Sequence, residues 1–157
     1  MTGTQGPAAA LQDLAALWSA GDVEAYALVE GACTALVAGL DGPALRLLAA
    51  VAPGDADYDL PDLLPAALED LGLTYHPRGS EAGRLATVGI MARRTLAGGM
   101  TPRAFVEWIH VRFGHGVPHL RSLAEYDDVY EIIEYEGLTR AELDAQVLAE
   151  ARRVVEA

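Results

Sequence analysis

Four side chains that could bind a metal ion lie in a short stretch of the middle of the chain. Glu107 and His110 are three residues apart, and His115 and His119 follow in a segment rich in glycine and proline. On a helix, the first two side chains would lie on the same side. Imidazoles combined with one carboxylate suit zinc or iron.

The spacing of these four residues matches no compact zinc signature. There is no HExxH motif, and the second Glu-x-x-His pair of a di-iron bundle is missing. His115 and His119 could equally be ordinary turn residues. We therefore expect no bound cofactor, and metal binding by Glu107, His110, His115 and His119 is the less favoured alternative.

Arginines near the histidines offer a second kind of site. Arg93 and Arg94 are adjacent, with Arg84 and Arg103 nearby in the sequence. Guanidinium groups can hold a phosphate or carboxylate through paired hydrogen bonds. In so acidic a chain, pairing of these arginines with the protein's own carboxylates is the favoured interpretation.

Other catalytic patterns are missing from the sequence. It contains neither a G-x-S-x-G elbow nor a glycine-rich phosphate loop. Its only cysteine, Cys33, stands in an apolar run, where we expect a small buried residue. The sequence therefore favours a protein that is not an enzyme.

Charge divides the chain into three blocks. Residues 1–75 hold eleven acidic residues and one arginine, residues 76–124 hold seven arginines and two acidic residues, and residues 125–157 hold ten acidic residues and three arginines. The net charge is -12, and the isoelectric point is about 4.5. This balance argues against general nucleic-acid binding, which needs a clustered excess of basic residues.

The last acidic block begins with a run in which carboxylates alternate with tyrosines and β-branched residues. Tyrosine gives a large contact area with a polar tip, and surrounding carboxylates would attract a basic partner. Alternatively, the tyrosines and isoleucines face the core and the acids are only solvated. The predicted partner-binding residues are Glu125, Tyr126, Asp127, Asp128, Tyr130, Glu131, Glu134, Tyr135 and Glu136. A further acidic group, Asp55, Asp57, Asp59 and Asp62, could add to this surface.

These side chains must be positioned by helices. Abundant alanine and leucine, with apolar residues at helical spacing, predict an all-α fold: a compact bundle of about seven or eight short-to-medium helices. Residues 1–7 are predicted to be a disordered lead-in and residues 8–157 a single helical domain. For residues 128–135, which are rich in β-branched and aromatic residues, we favour helix over strand.

Several helix boundaries can be predicted from capping residues and prolines. Asp22 is expected to cap the second helix, and Thr101 and Thr139 are expected to cap later ones. Pro43 is expected in a first turn. Pro65 is also placed in the first turn of a helix that begins near Asp62, because an internal proline removes a hydrogen bond.

The sequence has neither a signal-peptide pattern nor an apolar run long enough for a membrane span. We therefore expect a soluble, cytoplasmic protein that does not enter a membrane. The sequence does not indicate an oligomeric state.

Three segments carry a resemblance to a known class of protein: AALEDLGL, RRTLAGGMTPRAFVEWIH and LAEYDDVYE, which lie within residues 66–131. They resemble small acidic helical immunity-like proteins encoded beside polymorphic toxins. The resemblance implies a non-catalytic inhibitor that blocks its target by surface complementarity. The sequence therefore predicts a protein-interaction module that binds a basic partner protein, with a metal- or anion-binding domain or enzyme as the alternative.

Overall fold

The computed structural model describes residues 6–157, and all regular structure in that range is helical. The helices are α1 (Pro7–Ser19), α2 (Ala25–Val37), α3 (Pro43–Ala49), α4 (Ala56–Asp70), α5 (Glu81–Leu96), α6 (Pro102–Phe113), α7 (Arg121–Glu131) and α8 (Arg140–Glu156). Short 3-10 turns occur at Pro53–Asp55, Pro118–Leu120 and Ile133–Tyr135. The all-α prediction is confirmed, and the eight α-helices in this range agree with the expected number. Within residues 128–135, α7 continues to Glu131, Ile132 is a turn and residues 133–135 form a 3-10 turn, so this segment contains helix and no strand, as favoured.

The chain divides into two compact units, Met1–Thr87 and Val88–Ala157, and the division falls within α5. The assignment of residues 8–157 to a single domain stays a prediction. Residues 1–5 of the predicted lead-in lie outside the described residues, while its last residue, Pro7, begins α1.

The first unit has a core made of leucine and alanine. Helix α2 contacts α1, α3 and α4, and α3 also contacts α4. The core is formed by residues that are at most 2% exposed: Leu11, Ala15, Trp18, Ala25, Leu28, Val29, Ala32, Ala35, Leu45, Leu48, Ala56, Leu60, Leu64, Ala67 and Leu68. Small alanines between the leucines allow these short helices to approach one another closely.

Helix α4 contains two internal prolines, so the prediction for Pro65 is wrong. The helix begins at Ala56, which places both Pro61 and Pro65 in its interior. Each internal proline costs about 3 kcal/mol in a helix. Complete burial of a leucine contributes about 1.5–3 kcal/mol, and α4 buries three of them in the core. Core packing therefore offsets the local penalty.

Two further expectations for the first unit are wrong. The N-cap of α2 is Glu24, not Asp22, because the chain reaches helical geometry only at Ala25. Cys33 is exposed, and its thiol donates to the carbonyl of Ala49 at 3.4 Å. The apolar run around Cys33 supplies a buried face that does not include this residue.

The N-terminus of α3 is capped by a carboxylate distant in sequence. The backbone N–H groups of Ala44 and Leu45 donate to Asp70 Oδ2 at 2.8 and 3.2 Å. A Cβ at Gly42 would clash with the same oxygen, so any larger residue would displace this carboxylate from the cap. The predicted start of α3 at Pro43 is confirmed.

The second unit contains α6, α7 and α8, which contact one another in pairs. Thr101 accepts a hydrogen bond from the N–H of Ala104 at the start of α6, with proline next in the chain. At the start of α8, Thr139 and Glu142 form both hydrogen bonds of a capping box. These predicted caps are confirmed, and they fix where α6 and α8 begin.

Within residues 6–157, no helix combines the length and the apolar character that crossing a membrane requires.

Candidate functional site

Several polar side chains of the second unit meet around His110 on α6. Phe105, Val106 and Ile109 are buried on the inner face of this helix, and His110 follows at its edge, half-buried. The His110 Nδ1–H donates to Asp127 Oδ2 across a distance of 2.8 Å. This hydrogen bond links α6 to α7 through two titratable groups.

Asp127 is buried because of its position on α7. It lies four residues after Leu123 and three before Tyr130, so it shares the inner face of the helix with both. Its side chain is only 13% exposed. A carboxylate in such a place requires a polar partner, and His110 supplies one.

The carboxylate environment alters the protonation of His110. The hydrogen bond to Asp127 raises the pKa of His110 above its usual value, partial burial opposes this change, and the nearby charges of Asp128, Asp127 and Glu131 add to it. A raised pKa means that the cationic form of the ring is stabilised. The region around this imidazole therefore has a negative potential.

A second imidazole reaches the same place. Gly114 ends α6 with a φ of 59°, a conformation that favours glycine, and the chain turns there toward His115. The rings of His110 and His115 are 4.8 Å apart between centroids, edge to face. His115 Nε2 lies 3.3 Å from Asp128 Oδ2, while the other oxygen of Asp128 lies 3.8 Å from His110 Nδ1.

Two of the four predicted metal ligands thus come together, with Asp128 as the third member. One donor atom from each of His110, His115 and Asp128 lies within 4.8 Å of the others. Glu107 is outside this group and lines a separate recess, and His119 is exposed in the 3-10 turn before α7. The sequence reasoning assigned Asp128 to partner binding and did not connect it with the histidines.

The recess beside Glu107 has a volume of about 340 Å³. Its charged lining residues are Arg103, Arg140, Glu107 and Asp144, two of each sign. The internal pairing of the arginines that the sequence favours stays a prediction. Arg93 and Arg94, the adjacent pair, are both exposed on α5.

Tyr130 belongs to the interior. It is 2% exposed, and its hydroxyl donates to Asp144 on α8. Arg103 lies over its ring, with 5.6 Å between the guanidinium carbon and the ring centroid. Burial and the hydrogen bond to Asp144 strongly raise the pKa of Tyr130. Its phenol is therefore a structural group and is not part of the outer surface.

The remaining predicted partner-binding residues differ in exposure. Tyr126 is half-buried, whereas the exposed members are Glu125, Asp128, Glu131, Glu134, Tyr135 and Glu136. Where α7 ends, Tyr135 is 80% exposed and Ile132 is 45% exposed. We call residues 131–136 the acidic face. Ile132 is a member that the sequence reasoning did not include.

A second acidic surface with a tyrosine exists in the first unit, around the start of α4. Tyr58 is 85% exposed, and Asp55, Asp57 and Asp62 are exposed beside it in the sequence. Asp59, the fourth carboxylate predicted there, is half-buried.

Comparisons of the chain with known protein families, curated proteins and solved structures found no match. The fold defines an all-α protein, and its functional residues must be inferred from their own geometry.

Proposed function

We propose that this protein is a non-catalytic interaction module that binds a basic partner protein through the acidic face. The observation that carries the proposal is the exposure of Tyr135 and Ile132 beside three exposed carboxylates, Glu131, Glu134 and Glu136. An exposed aromatic residue within a charged surface is typical of the contact regions of transient complexes.

The carboxylates of the acidic face are available to a partner. Within residues 6–157, none of Glu131, Glu134 and Glu136 forms an ion pair. Their charges therefore add to the local potential and would speed the approach of a basic protein. Tyr135 and Ile132 would supply the apolar contact after the encounter.

The class of partner follows from the same features. A basic surface with an apolar recess for a tyrosine would complement the acidic face in both charge and shape. An immunity-like inhibitor that covers a basic toxin and a regulator of a basic protein would both use such a surface. We propose the first of these, which agrees with the resemblance noted above, and a cytoplasmic location belongs to the same proposal.

The test begins with capture of the partner by the full chain. The wild-type protein and the triple variant Glu131→Gln/Glu134→Gln/Glu136→Gln are used as baits in the source cell's extract, and bound proteins are quantified by mass spectrometry. A control bait, Glu24→Gln/Glu30→Gln/Glu69→Gln, makes the same change in net charge at exposed sites in the first unit. The proposal predicts a basic protein that the wild type and the control capture and the triple variant loses.

Affinity measurements on that partner then complete the test. We expect the triple variant to associate at least about tenfold more slowly at low salt, and this difference should shrink as salt is added. If no basic protein distinguishes the two triple variants, or if association is independent of salt, the proposal is wrong.

A further inference from the structure

We infer that His110, His115 and Asp128 form a binding site for a divalent transition metal, with zinc as the best-fitting ion. This inference is independent of the proposed partner, since the three side chains lie outside the acidic face. It revises the sequence-based alternative by replacing Glu107 and His119 with Asp128.

The donor set is the first argument. Two imidazoles and one carboxylate are ligands that zinc commonly takes in proteins, and three protein ligands leave a fourth position for water or another ligand. In a tetrahedral site the donor atoms lie about 3.3–3.6 Å apart. The three donors here lie within 4.8 Å of one another, so the widest pair must close by up to about 1.5 Å.

That adjustment falls on exposed side chains. His115 and Asp128 are 46% and 53% exposed, and small rotations of these side chains bring their donor atoms closer. His110 is the fixed member, being 29% exposed and hydrogen-bonded. With His110 held in place, rotation of His115 and Asp128 can bring the three donor atoms to the distances that an ion requires.

Asp127 provides the second argument, because it acts as a positioning residue for His110. Metal-binding histidines usually donate their other ring N–H to a carboxylate or carbonyl, which sets the tautomer and orients the ring. Here Nδ1 is hydrogen-bonded to the buried Asp127, so Nε2 is the ring nitrogen that remains for a metal ion. This carboxylate–histidine arrangement is already present in the protein.

The local charge is the third argument. Carboxylate oxygens of Asp127 and Asp128 lie 2.8 and 3.8 Å from His110 Nδ1, and Asp128 also lies 3.3 Å from His115 Nε2. A divalent cation would be attracted to these two carboxylates.

The experiment is a titration of the full chain with Zn²⁺ alone, in competition with a chromophoric chelator. We expect one ion per chain. His115→Gln and Asp128→Asn change exposed side chains and should preserve the fold, while each weakens binding at least about 100-fold, more than loss of an outer hydrogen bond does. Asp127→Asn should weaken binding about 10–100-fold through the orientation of His110.

His119→Gln and Glu107→Gln are the matched controls, since both side chains are exposed and lie outside the group. They should leave the affinity unchanged. Nitrogen-15 spectra of the imidazoles provide a second readout, in which Zn²⁺ should shift the ring nitrogens of His110 and His115 and leave those of His76 and His119 unchanged. The inference is overturned if His115→Gln and Asp128→Asn bind Zn²⁺ as the wild type does, or if the four imidazoles shift alike.

Discussion

The two units of this protein differ in what they place between their helices. The first unit buries leucine, alanine and one tryptophan. Where one of its polar side chains contacts a residue distant in sequence, it binds a backbone group, as Asp70 does at the start of α3. The second unit places titratable side chains opposite one another, in the pairs His110–Asp127 and Tyr130–Asp144. Such polar pairs are costly to bury unless they are satisfied.

This difference indicates where function is to be sought. An apolar core and backbone caps account for the stability of a fold and do not by themselves indicate a functional site. Paired titratable groups at the edge of a core can bind ions and bring charged side chains to the surface in fixed positions. The second unit also holds the acidic face, so we expect the first unit to contribute mainly stability.

The largest expected effect is on the core of the first unit. Leu64→Ala should lower the free energy of unfolding by about 2–5 kcal/mol, because a fully buried leucine leaves a cavity. Fluorescence of Trp18 in a Trp108→Phe background reports this unit during denaturant titration. Leu47→Ala, at a site 61% exposed, is the control and should change stability by less than about 0.5 kcal/mol. Equal effects of the two substitutions would contradict an apolar core around Leu64.

A smaller effect is expected at the cap of α3. Gly42→Ala should displace the Asp70 carboxylate and cost about 0.5–2 kcal/mol, the usual value of a lost cap. In an Asp70→Ala background the same substitution should cost much less, which a double-mutant cycle measures. Gly54→Ala, where a Cβ would meet nothing within 4 Å, is the control. Additive effects of Gly42→Ala and Asp70→Ala would exclude the proposed contact.

The corresponding test of the second unit is Tyr130→Phe. Removing the hydroxyl leaves Asp144 without this donor and should cost about 0.5–1.5 kcal/mol, seen by Trp108 fluorescence during unfolding in a Trp18→Phe background. Tyr135→Phe, at an exposed position, should leave stability unchanged. A neutral Tyr130→Phe would weaken the contrast between the units, because the polar pair would then contribute nothing.

The smallest effect on stability is expected at the acidic face. Tyr135→Ala should change the free energy of unfolding by less than about 0.5 kcal/mol, since the ring is exposed. The same substitution should weaken binding of the basic partner about tenfold or more, measured by calorimetry. Tyr58→Ala, at the similarly exposed position of the first unit, should leave the affinity unchanged. If Tyr58→Ala weakens binding and Tyr135→Ala does not, the binding surface lies in the first unit.

Helix content and most helix starts could be predicted, because they depend on local patterns such as the caps at Thr101 and Thr139. The burial of Asp127 also had a local signal, its helical spacing from Leu123 and Tyr130. Both interpretations of the acidic run leave its carboxylates exposed, so neither of them predicts a buried aspartate. Pro65 was misplaced because core packing outweighed a local rule.

The candidate site depended on information that no local pattern contains. His110 meets Asp127 only because α6 packs on α7, and His115 joins them only because the chain turns at Gly114. The exposure of Tyr135 similarly results from the end of α7 at Glu131, after which the helical periodicity no longer applies. Tertiary packing therefore determines which of the predicted residues lie together in one site.

The central claim, that recognition resides in the second unit, is tested most directly by hydrogen–deuterium exchange of the full chain with and without its captured basic partner. We predict protection in peptides covering residues 131–136 and unchanged exchange in residues 55–62. Protection confined to residues 55–62, the surface around Tyr58, would contradict the account.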